Sequence, residues 1–484
     1  MIENYSEHKP QMLIYNNREV VSDGIADRNA ACLVGICKPA FTVDNFFAQM
    51  TPLLAGAEIN FTAPLSNYTP VSDFLLQFLN PLKVAFVDAT GATIENPGVS
   101  VTKDDSTGVI NVKVTTKTTK DIYFNLPKAA FSVNYNGTTK VAMQLIKSSS
   151  DITSYLGLVD SNPSASDFNS LAFAATIGLT AGGGKPFYVD CVASDDIAAF
   201  TASLTKLSRT DLFLNLWVDS DNIDVINLAK ANALTASQPN VQRWRGVYAS
   251  TESKTPSDVI TRSKAWSYNG VVNVWSAGSY YLTSDGYTTK EVAMPNKYLA
   301  AGIACLRSNL LPQQGMSKME LGWISSIPAS YTSFTDEELN EIAANGTFII
   351  TQDDDRTTPY VRHQLTTDSS HGVLYYEDNI RGLIYNVNYG VKDLFKEYPG
   401  RRNITKSLLQ EIENKLGDYL LSLTYTGASL EERRIGPMIV EVDLNSIKAV
   451  RDSQFKDRVN LSGDYYVATA LNVLKVSLNT YLGL

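Results

Sequence analysis

Histidine is the scarcest resource in this chain: three in 484 residues, His8, His363 and His371. A Ser-His-Asp triad needs an imidazole held between a nucleophile and a carboxylate. His8 lies in a polar N-terminal stretch, and the other two follow the region that reads as α/β. No serine after His371 sits in a glycine-preceded turn opening a helix. Catalysis of that kind has no parts here. Cysteine is nearly as scarce. Cys32, Cys37, Cys191 and Cys305 form no C-x-x-C pair, and the histidines are too few and too distant to complete a zinc site. They read as buried free thiols, with no metal and no cofactor expected. No apolar run approaches the roughly 18 residues of a membrane span, and no charged-then-apolar leader opens the chain. The expectation is folding in a cytoplasm without membrane insertion. Positive charge is also in deficit: 41 Lys and Arg against 50 Asp and Glu, a net charge of -9. Nucleic acid is therefore excluded as the main partner.

What is present suits a protein of several domains. A length of 484 residues allows roughly two to four of them. Hydrophobic content of 44% with 19% charged residues is enough for a packed core. The 25 tyrosines hint at assembly, because tyrosine buries a large ring at interfaces and keeps a polar tip.

Residues 1–27 are polar around one apolar island, Met12-Leu13-Ile14-Tyr15. They read either as a frayed terminus or as an arm that adds a strand to a neighbour. The apolar run 30–36, with Gly35 and then Pro39, reads as a buried strand. Residues 84–146 alternate short β-rich runs with turn signals, and Asp105–Gly108 marks a hairpin. Residues 166–277 alternate continuous apolar strands with helices near 197–207, 224–236 and 256–266, the pattern of a parallel sheet covered on both faces. Ser194 and Thr255 are candidate helix caps. Gly182-Gly183-Gly184-Lys185 superficially matches a phosphate loop, but Pro186 follows the lysine and the glycines precede a strand, so a helix C-cap and turn is the reading. Asp353-Asp354-Asp355 lacks the spacing of a calcium loop and reads as a solvated turn.

The most informative stretch is 291–423. Pro295 suits a first helical turn, and Leu299, Ile303, Leu306 and Leu310 share one helical face. Thr335 and Glu338 have capping-box spacing, Phe334 and Leu339 suit a hydrophobic staple, and Gly346 suits the left-handed helix end. Residues 347–351 read as a short buried strand. Two amphipathic helices follow, one carrying Ile380, Leu383, Ile384, Val387, Val391, Leu394 and Phe395, the other Leu409, Ile412, Leu416, Leu420 and Leu423. Residues 436–444 alternate as a strand. Residues 464–484 form a β-prone tail in which Leu474, Val476 and Leu478 alternate with Lys475, Ser477 and Asn479, and it reads as an edge strand of its own sheet or as a strand lent to another subunit. Arg401, Arg402, Lys448, Arg451, Lys456 and Arg458 concentrate positive charge in an acidic chain.

The proline-led small-residue helix YLAAGIACLR, the segment from Leu339 through GTFII, and the helix NIRGLIYNVNYGVKDLF occur in an order that resembles contractile tail sheath proteins. The resemblance runs from about Ala31 to the C-terminus. It implies a multidomain α/β, or α+β, fold: N-terminal arm (1–27), start of the core (28–83), outer β-sandwich-like module (84–150), subtilisin-like doubly wound α/β domain (151–345), and a C-terminal inner domain ending in an arm (346–484). It implies arm contacts between subunits at Met12, Leu13, Ile14, Tyr15, Leu474, Val476 and Leu478. It implies tube-facing roles for the six basic residues. It further implies a non-enzymatic homo-oligomer of hexameric rings in the virion, assembled in a bacterial cytoplasm, with tail tube, baseplate and tail terminator proteins as partners. Pyocin-like, type VI and extracellular injection sheaths share these features. An α/β hydrolase-like enzyme, or a surface-binding module at 84–146, are the readings from other classes.

Overall fold

The computed structural model describes residues 29–36, 143–156 and 168–467, with breaks at 193–194, 239–240, 285–288, 371–376, 400, 426–432, 434 and 455–456, and the backbone of seven strands between 40 and 132. The described chain opens with β1 (Ala31–Ile36). The seven strands are β2 (Ala40–Thr42), β3 (Glu58–Thr62), β4 (Ala85–Val87), β5 (Val99–Lys103), β6 (Val109–Val114), β7 (Tyr123–Asn125) and β8 (Ala130–Ser132). An alternating run follows: β9 (Gln144–Ile146), α1 (Ser149–Leu156), α2 (Ser170–Ala181), β10 (Phe187–Val192), α3 (Ile197–Leu207), β11 (Asn215–Val218), α4 (Ile223–Ala236), β12 (Gly246–Ser250), α5 (Pro256–Trp266) and β13 (Val271–Trp275). Next come β14 (Ser279–Ser284), β15 (Thr289–Met294), α6 (Asn296–Asn309), α7 (Ala329–Thr332), α8 (Asp336–Ala344), β16 (Phe348–Thr351) and β17 (Tyr360–His363). The described chain ends with α9 (Asp378–Phe395), α10 (Lys406–Ser422), β18 (Ile439–Arg451) and β19 (Val459–Val467).

The continuous apolar strands form one sheet in the order β17-β16-β13-β12-β11-β1-β10-β9. Its six inner strands are parallel, and β9 and β17 pair antiparallel at the two edges. Strands such as β11, β12 and β13 are buried along their whole length, which is why they read as unbroken apolar runs. Alternate residues feed two cores. Leu33, Val189, Trp217, Tyr248 and Val272 meet α2 and α6 on one face. Cys32, Tyr188, Leu216, Val247 and Val271 meet α3, α4 and Trp266 on the other. The sheet runs on past residue 345 through β16 and β17.

The small residues of α6 let it sit close. A Cβ at Gly302 would stand 2.5 Å from the Trp323 ring, and one at Gly178 of α2 would stand 2.7 Å from Cys305 Sγ. Side chains in such contacts would force the helices apart. The expected capping box is present at α8, with both Thr335 and Glu338 contributing, and Gly346 has φ +83°. Two details differ from expectation. Pro295 is the N-cap of α6, one position before the helix. The cap of α3 is Asp196, whose side chain accepts from Ala199 N–H, because a carboxylate one residue before the helix reaches its free donors. Ser194 lies outside the described residues, and Thr255 is the N-cap of α5 by position with no side-chain cap bond.

Strands β2 to β8 pair antiparallel as β2–β8, β3–β6–β5 and β4–β7. This β-rich module draws in β2 and β3, from before residue 84, while β9 joins the main sheet instead.

Candidate assembly interface

A second, smaller core joins the α/β body through α9. The first half of α9 is anchored in the body. Asp378 pairs with Arg381 at 2.5 Å, Arg381 donates to the Tyr248 hydroxyl at 2.9 Å, and Tyr248 donates to Asp378 at 3.0 Å. All three are buried, and burial followed by the Asp378 charge pushes the Tyr248 phenol well above its ordinary pKa. Further along α9, Tyr389 meets Trp244 edge to face and Lys392 pairs with Asp211 at 2.7 Å. The second half of α9 packs on α10, where Gly390 makes room for the Tyr419 hydroxyl.

The β18–β19 hairpin lies over α10. Ile439, Ile447 and Ala449, with Val442, Leu461, Tyr465 and Val467, face Leu416, Leu420, Leu408 and Ile412. Strict alternation puts Asn460, Ser462, Asp464 and Tyr466 of β19 on the solvent side. Gly463 faces inward, where a Cβ would stand 3.1 Å from Ile447 Cγ1. Strand β18 is irregular: Asp443 pairs with Asp464 but Lys448 pairs with Ser462, so Leu444, Asn445 and Ser446 loop out. Asp443 holds this bulge by accepting Asn445 N–H at 3.0 Å, and Ser446 Oγ accepts Asp464 N–H at 2.7 Å. Val440, Val450 and Tyr466 are 57–60% exposed, a concentration of large apolar side chains in water on a two-stranded sheet. On the solvent side Glu441, Asp443 and Asp464 stand at the root and Lys448 nearer the turn, where Arg451 and Arg458 stand beside Asp452 and Asp457.

Of the basic residues singled out from sequence, Arg401 and Arg402 follow α9, and Lys448, Arg451 and Arg458 belong to the hairpin. Tyr398 and Phe395, just before Arg401, share an apolar cluster with Ala449 and Val459, so these five residues gather at one end of the small domain. Arg402 pairs with Glu411 at 2.5 Å and Arg401 with Glu397 at 3.7 Å, which offsets much of their charge locally. Lys456, Met12, Leu13, Ile14, Tyr15, Leu474, Val476 and Leu478 lie outside the described residues. Sequence reading caught only the end of β19, since the β-prone tail it marks begins at Asp464 and the strand begins at Val459. Its signal was the alternation of Val459, Leu461, Tyr465 and Val467, broken by Gly463.

The other motifs fall to structure. A doubly wound sheet binds ligands where its connections reverse, here beside β1. Among the described residues, an ion pair of the protein's own occupies that crevice. Asp219 accepts Ile36 N–H at 3.2 Å and pairs with Lys297 at 2.9 Å. Gly35 permits the approach, since a Cβ there would meet Asp219 Cβ at 2.8 Å. Glu252 accepts the N–H groups of Asn296 and Lys297 at 2.9 and 2.8 Å, closing the N-terminus of α6. Gly182 is the C-cap of α2, and Gly183 and Gly184 have positive φ, as a helix-ending turn requires. Asp353 accepts from the Tyr360 hydroxyl at 2.8 Å and pairs with Arg356 at 3.3 Å. His363 lies on edge strand β17, and His371 is outside the described residues. Among the described residues no group of His, Cys, Asp and Glu could hold a metal ion, and Cys32, Cys191 and Cys305 are free thiols.

The fold as a whole is similar to that of solved sheath proteins of contractile systems. The chain is similar to the solved helical sheath of the anti-feeding prophage (AFP) in its contracted state, with a TM-score of 0.50 and 10% identity over 97% of this chain and 99% of that one. It is similar to a chain of the PVC sheath complex of an extracellular contractile injection system, also contracted, with a TM-score of 0.50 and 14% identity over 71% and 88% of the two chains. A chain of the anti-feeding prophage baseplate matches with a TM-score of 0.52 and 13% identity, over 70% and 88%. No protein-family model and no curated protein matches the chain by sequence.

Proposed function

We propose that the chain is the structural subunit of a contractile tail sheath. It polymerises as stacked hexameric rings around a tail tube and contracts to drive the tube through a host envelope, as a virion component that aids genome ejection. The observation that carries this reading is the likeness to a helical sheath over almost the full length of both chains. A switch point filled by the protein's own ion pair supports a non-enzymatic role. Contraction of such a lattice needs no nucleotide. A metastable extended packing that buries less surface than the contracted one stores the energy, and a kinetic barrier holds it.

In this reading the arms around Met12–Tyr15 and Leu474–Leu478 pair with neighbouring subunits. The small domain faces the tube, with Arg451 and Lys456 as the leading contacts, and baseplate and terminator proteins bound the lattice. Negative-stain microscopy of the purified protein tests the core of the proposal. Striated hollow cylinders are expected; single particles at every concentration would overturn it. Leu474→Asp or Val476→Asp should leave the monomer folded and abolish cylinders. Arg451→Glu with Lys456→Glu should spare cylinders and loosen tube binding. The likeness to AFP and PVC sheaths equally supports a sheath of an extracellular injection system. Particles purified with DNA-filled heads would decide for a phage tail.

A further inference from the structure

The outer surface of α3 and α4 carries almost no charge. Each helix follows a strand parallel to β1, so both N-termini lie at one end of the sheet. Asn232 of α4 donates to Leu204 O of α3 at 2.9 Å, which holds the helices side by side. From 198 to 205 every exposed residue is alanine or threonine. From 225 to 236 the exposed residues are Asn227, Ala231, Leu234 and Thr235. Lys230 is the one charged side chain of that stretch, and its ammonium turns aside to donate to Trp266 O. Ile197, Ile223 and Leu234 are 45%, 38% and 40% exposed on these two helices. A water-facing helix ordinarily presents charge. In this chain α8 exposes Asp336, Glu337 and Glu341, and α10 exposes Lys406, Lys415 and Asp418.

Charge returns at the two ends of the α3–α4 face, with opposite sign. Asp195, Asp196, Asp221 and Asp224 are exposed at the N-terminal end. Lys206 and Arg209 are exposed at the other end, beside Arg243, whose Nη1 donates to Ser208 O at 3.0 Å. End charges of these signs suit helix dipoles. A charge-free middle with three large apolar side chains in water does not follow from them.

We propose that this face is covered by the same face of a second copy, turned antiparallel. Parallel stacking would lay acid on acid. Antiparallel stacking lays each acidic end on a basic end, and the uncharged middle on its own copy. The face is about 21 Å long, from the 14 residues of α4, and roughly 20 Å wide for two adjacent helices. A pair would bury roughly 800 Å² in total, below the roughly 1,200 Å² of stable complexes, so it is weak and reversible. The consequence rests on the sheath reading above. The halves of a two-fold pair point in opposite directions, whereas subunits stacked around a tube all point the same way. The pair cannot enter the stack intact. It is a reserve of free subunits, drawn down by mass action as the stack grows.

The test is sedimentation equilibrium of the full chain at low salt, before cylinders form, across a concentration series. A reversible monomer–dimer equilibrium is expected. Leu234→Lys should weaken it by about tenfold or more, since the change enters the pair twice, and should leave the melting temperature unchanged. Arg209→Glu alone and Asp224→Lys alone should each weaken pairing about threefold to tenfold, and the two together should restore it. Asp418→Asn, off this face on α10, should change nothing. Leu234→Lys should also shorten the lag before cylinders appear, because no pair has to separate first. A wild-type chain that stays monomeric at every concentration yet forms cylinders overturns the pair and leaves the sheath reading intact. A dimer untouched by Leu234→Lys, or a charge swap that fails to rescue, overturns this face as its contact. Loss of cylinders in Leu234→Lys would make the face a lattice contact and overturn the reserve. Wild-type protein that pairs but never polymerises overturns the sheath reading and leaves the pair standing.

Discussion

Gly246 opens β12 without a side chain because Arg381 fills the space one would need: a Cβ there would stand 1.8 Å from Nη1. Gly246→Ala therefore displaces a buried guanidinium and strands Asp378 without its partner, at a cost of about 3–5 kcal/mol. A urea midpoint unchanged from wild type would contradict that. Tyr248→Phe removes one donor to the buried Asp378 carboxylate and should cost less, about 1–3 kcal/mol. None of this was legible in the sequence. Gly246 follows Arg245 in an ordinary-looking run, and its partner lies on a helix far along the chain. His363 offers a separate test. Burial, then the charges of Arg362 and Lys318, lower its pKa from 6.5 to about 4. Between those values the unfolded chain binds the proton that the folded one refuses, so stability is full above about pH 6.5 and falls as pH drops toward 4. Partial exposure reduces the full linkage to roughly 1–2 kcal/mol. His363→Gln should flatten that part of the stability profile, measured by urea titration at pH 7 and pH 4.5. Parallel profiles for the two proteins would remove His363 from the explanation.

At the scale of elements, the helices whose ends are chemically marked were the readable ones. Pro256 at the start of α5 and the Thr335 capping box of α8 act within one turn, so local sequence contains the whole cause. The buried strands were readable because both faces are covered. β19 was readable only from Asp464 onward, because Gly463 interrupts its inward pattern for a reason outside the strand, the approach of Ile447. The site followed the same rule: the basic residues were visible as composition, but Asp443 opposite Asp464 exists only through a register that the bulge shifts. The hairpin and α10 share a core of their own, so they should loosen together and apart from the main sheet. Leu416→Ala removes a buried side chain from the centre of that core, a loss of about 2–5 kcal/mol. Amide exchange should then rise across β18, β19 and α10 while β11, β12 and β13 stay protected. Equal acceleration in the large sheet would show the two cores to be one cooperative unit, coupled through the buried Asp378–Arg381 anchor of α9.

For the whole molecule, the order of elements could be read from sequence while their pairing could not, since the sheet order places β1 between strands reached only after a long β-rich insertion. What the proposed assembly would do with charge can be argued from one number, the net charge of -9. Identical acidic subunits in a lattice repel one another. Raising salt from about 0.01 M to about 0.15 M shortens the screening length from about 30 Å to about 8 Å. Self-assembly should therefore increase with salt over that range, since each subunit presents the same excess sign to all its neighbours. Docking on a tube through Arg451 and Lys456, as proposed above, would be an attraction between opposite charges, and it should weaken over the same range. Pelleting of cylinders and co-pelleting of tube protein, measured in one salt series, should have slopes of opposite sign. If cylinder formation also falls with salt, short-range pairs of opposite charge between subunits outweigh the net charge. If tube binding is flat, the exposed Val440, Val450 and Tyr466 make that contact in place of the basic residues.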